Sequence, residues 1–189
     1  MQINKLCFCL LFFVGSLVNA QTVQSPEQFL GYKIGTKFTR HHKIVEYFKA
    51  IASAKSDMVV LDKYGETNEG RELLLTYIST PENIQKLNAI QQNNLRLAGL
   101  SKDKMAAITS NAPVIVWLSY NVHGNEPSSS EAAMQTLYEL VNSANSKTKE
   151  WLKNTVVIID PCLNPDGRDR YVNWYNQVVG KELNADAQS

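Results

Sequence analysis

The chain of 189 residues carries 19 basic and 18 acidic side chains, which gives a formal net charge of +1 at pH 7. This balance argues against a nucleic-acid-binding surface and against a polybasic membrane patch, so no nucleic-acid partner is expected. The length and the 44% of hydrophobic residues are enough for one domain with a sizeable core, and they disfavour a disordered chain.

The first 20 residues are typical of a secretory signal peptide. Lys5 supplies a positive charge, residues 6–18 are almost entirely apolar, and Val18-Asn19-Ala20 offers small residues for cleavage. A membrane-spanning helix needs about 20 apolar residues, more than this run contains, so no stable membrane insertion is expected. Cleavage after Ala20 predicts a secreted or periplasmic protein whose mature part here is residues 21–189.

The first predicted helix covers residues 40–54, with Thr39 as its N-cap. His41 and His42 lie in its first turn, where we expect them to be exposed. The apolar side chains that recur at helical spacing define the core-facing side: Ile44, Val45, Phe48 and Ile51.

Two strands and a glycine-rich turn follow this helix. The strands are predicted at residues 58–61 and 73–78, and the turn between them contains Gly65-Glu-Thr-Asn-Glu-Gly-Arg71. Pro81 begins a longer polar helical stretch, and a short helix is predicted at residues 102–108.

The centre of the chain predicts a crossover unit. Residues 113–118 form an uninterrupted apolar run, as expected of a strand buried on both faces. Residues 128–141 have helical spacing, and residues 156–159 form a second buried strand. Strand, helix and strand in this order favour parallel pairing. We therefore predict an α/β fold with a mixed, largely parallel sheet flanked by helices.

Polar segments follow both central strands. The first is His123-Gly-Asn-Glu126, and the second runs from Asp160 to Gly167. Ligands of such sheets bind outside the carboxyl ends of the strands, so these two segments are the candidate site.

His123 and Glu126 have the residue types and the spacing of metal ligands. With Gly124 between them, the chain can curl so that an imidazole and a carboxylate converge on one zinc ion. The alternative is a simple helix start, in which Glu126 favours the positive end of the helix dipole and His123 is a surface turn residue. The spacing by itself leaves both interpretations open.

Three motifs occur in order: Gly65-x-Thr-x-Glu-Gly-Arg71, His123-Gly-Asn-Glu126 and Asn164-Pro-Asp-Gly167. Together they resemble the first half of a zinc carboxypeptidase of the carboxypeptidase A type, over roughly residues 32–176. The resemblance implies a zinc carboxypeptidase-like fold and one zinc ion in the complete domain.

The resemblance implies that His123 and Glu126 are two of the three zinc ligands. Asn125 stands where several family members have an arginine that touches the substrate, so that contact is altered here.

The resemblance also places an arginine after the third motif, where it polarises the scissile carbonyl and stabilises the oxyanion. Either Arg168 or Arg170 is a candidate for this role. The alternative for both is a solvated surface pair with Asp169.

Several parts of the family's site have no counterpart before Ser189. The sequence has three histidines and none after His123, so the third zinc ligand is missing. The glutamate general base, the specificity tyrosine and the Asn-Arg pair for the substrate carboxylate are missing too. Residues 21–189 are therefore either the N-terminal portion of a longer catalytic domain, which we favour, or a shortened homologue without activity. An incomplete sheet would also leave an apolar edge exposed.

The leading hypothesis is an exported zinc metallocarboxypeptidase that acts on a peptide or protein, inactive as this portion alone. The alternatives are a non-catalytic module that binds peptide or glycan, and an amidase or cell-wall peptidase of the same family. A serine hydrolase is disfavoured because no G-x-S-x-G motif is present, and a thiol protease because no histidine follows Cys162.

Overall fold

The computed structural model describes residues 23–101 and 111–179. The predicted signal peptide, the helix predicted at residues 102–108 and the end of the chain lie outside these ranges. In the part that is described, no helix is both long enough and apolar enough to cross a membrane. The elements, in chain order, are α1 Pro26–Leu30, α2 His41–Ala54, β1 Val59–Glu66, β2 Glu72–Ile78, α3 Pro81–Gln85, α4 Leu87–Leu97, β3 Val114–Ser119, α5 Ser128–Val141, α6 Ser146–Leu152, β4 Thr155–Asp160 and α7 Pro165–Val178.

The described strands form one mixed sheet in the order β1-β2-β4-β3. The predicted crossover is confirmed, because β3 and β4 pair in parallel and the connection between them contains α5, followed by the short α6. The predicted fold class is confirmed as well, although parallel pairing does not dominate among the described strands. β1 and β2 pair as an antiparallel hairpin, and β2 is antiparallel to β4, so one of these three pairings is parallel.

The core lies on both faces of the central strands. On one face, α2 and α5 pack on β4 and β2 through a cluster that includes Ile44, Phe48, Leu137 and Ile159. On the other face, Ile90 of α4 packs against β2 and β4. Burial of these apolar surfaces is the main term that holds the helices on the sheet.

β3 is an edge strand, and its burial was predicted wrongly. Val114 and Trp117 are 59% and 58% exposed, and Ile115 and Val116 between them are exposed as well. Successive side chains point to opposite faces of a sheet, so exposed apolar side chains of β3 lie on both faces, although Leu118 near its end packs against the core. The cause is its position: the helices pack over β2 and β4, whereas β3 lies at the edge of the described sheet, with β4 on one side and no described strand on the other.

The start of α2 also differs from the prediction. The helix begins at His41 after Arg40, which makes no side-chain capping bond. Thr39 is fully buried, and its backbone N donates a 2.6 Å hydrogen bond to Oε1 of Glu131 in α5. His41 is buried rather than exposed, whereas His42 is exposed as expected.

Candidate metal centre

The two polar segments predicted to carry the site lie side by side. β3 and β4 end together, with Ser119 opposite Asp160. Beyond that point the backbone N of Tyr120 donates to O of Asp160 at 3.0 Å, and N of Leu163 donates to O of Tyr120 at 2.9 Å. The segments after the two strands therefore form one continuous surface at the carboxyl end of the parallel pair.

The turn after β3 brings the side chains of His123 and Glu126 together. Nδ1 of His123 lies 3.3 Å from Oε2 of Glu126, and the side chains are 69% and 63% exposed. Two donors that each lie about 2.0–2.2 Å from a tetrahedral zinc ion are about 3.4 Å apart, so this separation suits a shared metal ion. The same contact also suits a hydrogen bond when Nδ1 carries a proton.

A third ligand is not supplied by the described residues. Within 23–101 and 111–179, no three His, Cys, Asp or Glu side chains are grouped so that they could hold a metal ion. His41 and His42 are the other histidines of the chain, and they begin α2. The donors that fit zinc are thus the two predicted ones, whereas a catalytic zinc takes three protein ligands.

Asn121 is the centre of a hydrogen-bond network beneath this turn. Its φ is 54°, a left-handed conformation that asparagine adopts more readily than most residues. Its backbone N donates to Oγ of Ser129 at 2.8 Å. Its Oδ1 accepts from Oγ of Ser130 at 2.9 Å and from the guanidinium of Arg168 at 2.8 Å. The segment before His123 is therefore bound to the first turn of α5 and to α7.

Arg168 is fully buried, which distinguishes it from Arg170. Its guanidinium donates to the backbone O of Pro127 at 2.5 Å and to O of Thr39 at 2.6 Å. Burial lowers the pKa of Arg168, but a guanidinium remains protonated at neutral pH. Because its hydrogen bonds point into the protein, the geometry favours Arg170 over Arg168 as the residue that contacts a substrate.

The Asn164-Pro-Asp-Gly167 motif begins α7 and contacts residues 122–126, a turn that is called the metal turn because it carries the two candidate metal ligands. Oδ1 of Asn164 accepts from N of Gly167 at 3.0 Å, and its Nδ2 donates to O of Val122 at 3.2 Å. A Cβ atom on Gly124 would lie 2.1 Å from the carbonyl carbon of Gly167, a distance that no side chain can adopt. The close approach of the two backbone segments therefore requires a glycine at position 124.

The first motif contacts the third through Arg71. Its guanidinium donates to Asp166 at 2.6 Å, to Asp169 at 2.7 Å and to Glu69 at 2.5 Å. Oγ1 of Thr67 donates to the same Asp166 at 2.7 Å. All three sequence motifs thus meet in one assembly, and Asp169 is bound by Arg71 rather than by the two arginines beside it in the chain.

An open cleft of about 580 Å³ adjoins the metal turn. Arg170 is exposed, and it brings a permanent positive charge to this cleft. The residues that line the cleft are Gly124, Asn125, Gly167, Arg170, Tyr171 and Trp174.

Two features of the site were missed in the sequence. Asn121 was not singled out, although an asparagine two residues before His123 is a signal for a left-handed turn position. Tyr64 was not singled out either; it lies at the irregularity in β1, and its hydroxyl donates to Asp160 at 2.8 Å. Burial raises the pKa of Asp160, although the hydrogen bonds from Tyr64 and from the backbone N of Cys162 oppose this.

Two solved structures share the fold. Carboxypeptidase A from Helicoverpa armigera is 20% identical with a TM-score of 0.52, and the match covers 81% of this chain and 31% of that one. A metallo-carboxypeptidase from Burkholderia cenocepacia is 14% identical with a TM-score of 0.51, covering 69% of this chain and 28% of that one. Bovine thrombin-activatable fibrinolysis inhibitor, in complex with tick carboxypeptidase inhibitor, is 16% identical with a TM-score of 0.47. That match covers 70% of this chain and 33% of that one. The chain thus spans about a third or less of each of these three structures.

A comparison with curated proteins finds no match. The family model for zinc carboxypeptidases matches residues 44–186, which include all three motifs and both candidate metal ligands. The chain therefore belongs to the zinc carboxypeptidase family.

Proposed function

We propose that this chain is the N-terminal portion of an exported zinc metallocarboxypeptidase and that His123 and Glu126 are two of its zinc ligands. The observation that carries the proposal is the 3.3 Å separation of Nδ1 and Oε2 at the carboxyl end of the parallel strands, in a member of the zinc carboxypeptidase family. The exposure of both side chains leaves room for a third ligand and for a substrate.

The residues of this chain would have distinct roles in peptide hydrolysis. His123 and Glu126 would hold the metal, and Arg170 would bind the carbonyl oxygen or a carboxylate of a peptide in the adjoining cleft. A bound zinc supplies a Lewis acid that activates water near neutral pH and polarises the peptide carbonyl. A third ligand and a glutamate that accepts the proton from water would come from sequence beyond residue 189.

Substitution of the ligands in the full-length protein tests the proposal. His123→Ala and Glu126→Ala should each lose bound zinc and peptidase activity, because a carbon side chain cannot replace the missing donor. Zinc per protein is measured by elemental analysis after dialysis, and activity with peptides that have a free carboxyl terminus. His42→Ala, which removes an exposed histidine from α2, is the matched control and should retain both. Zinc content and activity at the parental level in both ligand variants would refute the proposal.

The same proposal predicts weak metal binding by residues 21–189 alone. Two exposed ligands without a third should not hold zinc tightly, so isothermal titration should show no submicromolar site. A submicromolar site would mean that two donors suffice or that a third lies within the chain.

Export is a separate part of the proposal. Residues 1–20 have the charge, the apolar run and the small terminal residues of a signal peptide. The N-terminus of the mature protein should be Gln21, which mass spectrometry of the secreted or periplasmic fraction can identify. A mature protein that keeps residues 1–20 would contradict export by this route.

A further inference from the structure

We propose that Asn121, oriented by the buried Arg168, positions the turn that carries the metal ligands. This inference rests on the proposed role of His123 and Glu126 as zinc ligands. It concerns a residue that does not touch the metal and whose contacts lie within the described structure.

The side-chain amide of Asn121 bridges His123 and Glu126, the two ligand residues of the metal turn. Its Nδ2 donates to the backbone O of His123 at 2.6 Å and to O of Glu126 at 3.3 Å. One amino group therefore binds the carbonyl of each ligand residue. Asn121 is 2% exposed, so water does not compete for these bonds.

The chemistry of the neighbours allows one orientation of this amide. Oδ1 faces Arg168, whose guanidinium can only donate, and Ser130, which donates there as well. If the amide were flipped, its amino group would face the guanidinium, and its oxygen would face two backbone carbonyl groups. The first pairing would set a donor against a donor, and the second would set an acceptor against two acceptors. Arg168 thus selects the rotamer in which Nδ2 of Asn121 binds the metal turn.

Arg168 is itself held in place on two sides. It donates to O of Pro127, the residue that follows Glu126, and to O of Thr39 before α2. The hydrogen bonds identified for its guanidinium all end on uncharged oxygens, while burial of a charge costs free energy. A side chain that donates to three fixed acceptors in a buried site is suited to fixing geometry, which an apolar side chain of similar size could not do.

The backbone of Asn121 makes a clean substitution available. Its φ of 54° suits asparagine and glycine but strains most other residues. Asn121→Gly therefore keeps the backbone conformation and removes the amide. Arg168→Met keeps an unbranched, uncharged side chain in the buried position and removes the donors that orient the amide.

The experiment measures zinc affinity and metal geometry in the full-length protein. Zinc dissociation constants come from competition with a chelator, and the visible absorption of the cobalt-substituted protein reports ligand geometry. In Asn121→Gly the zinc dissociation constant should rise about 10–100-fold, the range known for groups that orient metal ligands, and the cobalt spectrum should change. Arg168→Met should also raise the zinc dissociation constant and change the cobalt spectrum.

Ser79→Ala is the matched control. Ser79 is fully buried and donates to O of Leu152 and O of Thr155. This variant therefore also loses buried hydrogen bonds, but these lie away from the metal turn. It should lower the melting temperature and leave the zinc dissociation constant and the cobalt spectrum unchanged. A purely structural role for Asn121 would give the same pattern as this control.

The outcomes separate the two proposals. A parental zinc dissociation constant and cobalt spectrum in Asn121→Gly, with zinc lost in His123→Ala, would overturn the positioning role alone. Retention of zinc in His123→Ala and Glu126→Ala would overturn the metal site itself. If Asn121→Gly does not fold, Arg168→Met decides, and parental zinc affinity in that variant would overturn the inference.

Discussion

Arg71 donates a 2.6 Å hydrogen bond from its guanidinium to Oδ1 of Asp166, a residue 95 positions later in the chain. The bond joins the turn between β1 and β2 to the first turn of α7. Since α7 begins with the motif whose glycine contacts the metal turn, the β1–β2 turn supports the site without contacting it.

Asp166→Ala should destabilise the protein. Asp166 accepts from Arg71 and from Thr67, and its side chain is 23% exposed. Loss of these bonds should lower the free energy of unfolding by about 1–2 kcal/mol, measured by urea denaturation. Glu69→Ala is the control, because Glu69 binds the same guanidinium but is 63% exposed, and it should cost less than about 0.5 kcal/mol. Equal losses in both variants would contradict a special role for Asp166.

His41 should make the protein less stable in mild acid. Burial, with the nearby charges of Arg168 and Arg71, lowers the pKa of His41 to about 4, although Asp169 opposes this. In the unfolded chain His41 binds this proton with a pKa of about 6.5. The stability that depends on neutral His41 is therefore fully present above that pH and is lost as the pH falls toward about 4. The contribution of His41 should decrease by about 2 kcal/mol between pH 7 and pH 5.

Urea denaturation of His41→Leu at both pH values measures this contribution. Both ring nitrogens of His41 are buried without a hydrogen-bond partner in the described structure, so leucine removes no such bond. Its loss of stability from pH 7 to pH 5 should be smaller than the parental loss, whereas the exposed His42→Leu should behave like the parent. The same pH dependence in His41→Leu and in the parent would contradict the prediction.

Gly124→Ala should disrupt the metal turn. The added Cβ would overlap the backbone of Gly167, so the two segments would have to separate, at a cost of about 1–3 kcal/mol. The melting temperature and the zinc content of the full-length protein should both fall. In Gly65→Ala the added Cβ meets Leu73 at 3.7 Å, an ordinary contact, so zinc content should be unchanged. A Gly124→Ala variant with parental stability and zinc would show that the backbones can part freely.

Arg170→Ala should reduce catalysis without affecting the fold. Arg170 is exposed in the cleft beside Gly124, so its loss should leave the melting temperature and zinc content unchanged. If it stabilises the oxyanion, kcat/KM of the full-length enzyme should fall about 100-fold or more. Arg40→Ala, which removes an exposed arginine that does not line the cleft, should keep parental kcat/KM. Full activity in Arg170→Ala would reject the role.

Local patterns in the sequence predicted α2, α5 and the positions of the four described strands, whereas α1, α6 and α7 were not predicted. The helix at Ser128–Val141 has the predicted bounds, and the two strands it connects pair in parallel as expected. Hydrophobic spacing and turn residues are local properties, so they are visible in a single sequence. The pairing of His123 with Glu126 was also local, since three residues separate them.

The wrong predictions concern relationships between distant segments. The apolar run of β3 indicated a buried strand, but burial depends on neighbours that the described structure does not place beside it. Arg168 was indistinguishable from Arg170 in the sequence, and its burial follows from contacts with Thr39 and Asn121, which are 129 and 47 positions away. Such contacts have no signature within a short window of sequence.

Among the described strands none pairs with the outer edge of β3, and this open edge has a consequence for handling the protein. An open row of backbone N–H and C=O groups, between two apolar faces that include Val114 and Trp117, can pair with a strand of another molecule. During synthesis or refolding, this edge is available to other chains until it is covered. Refolding yield should therefore fall as protein concentration rises, and dilution or a chaperone that binds extended apolar segments should restore it.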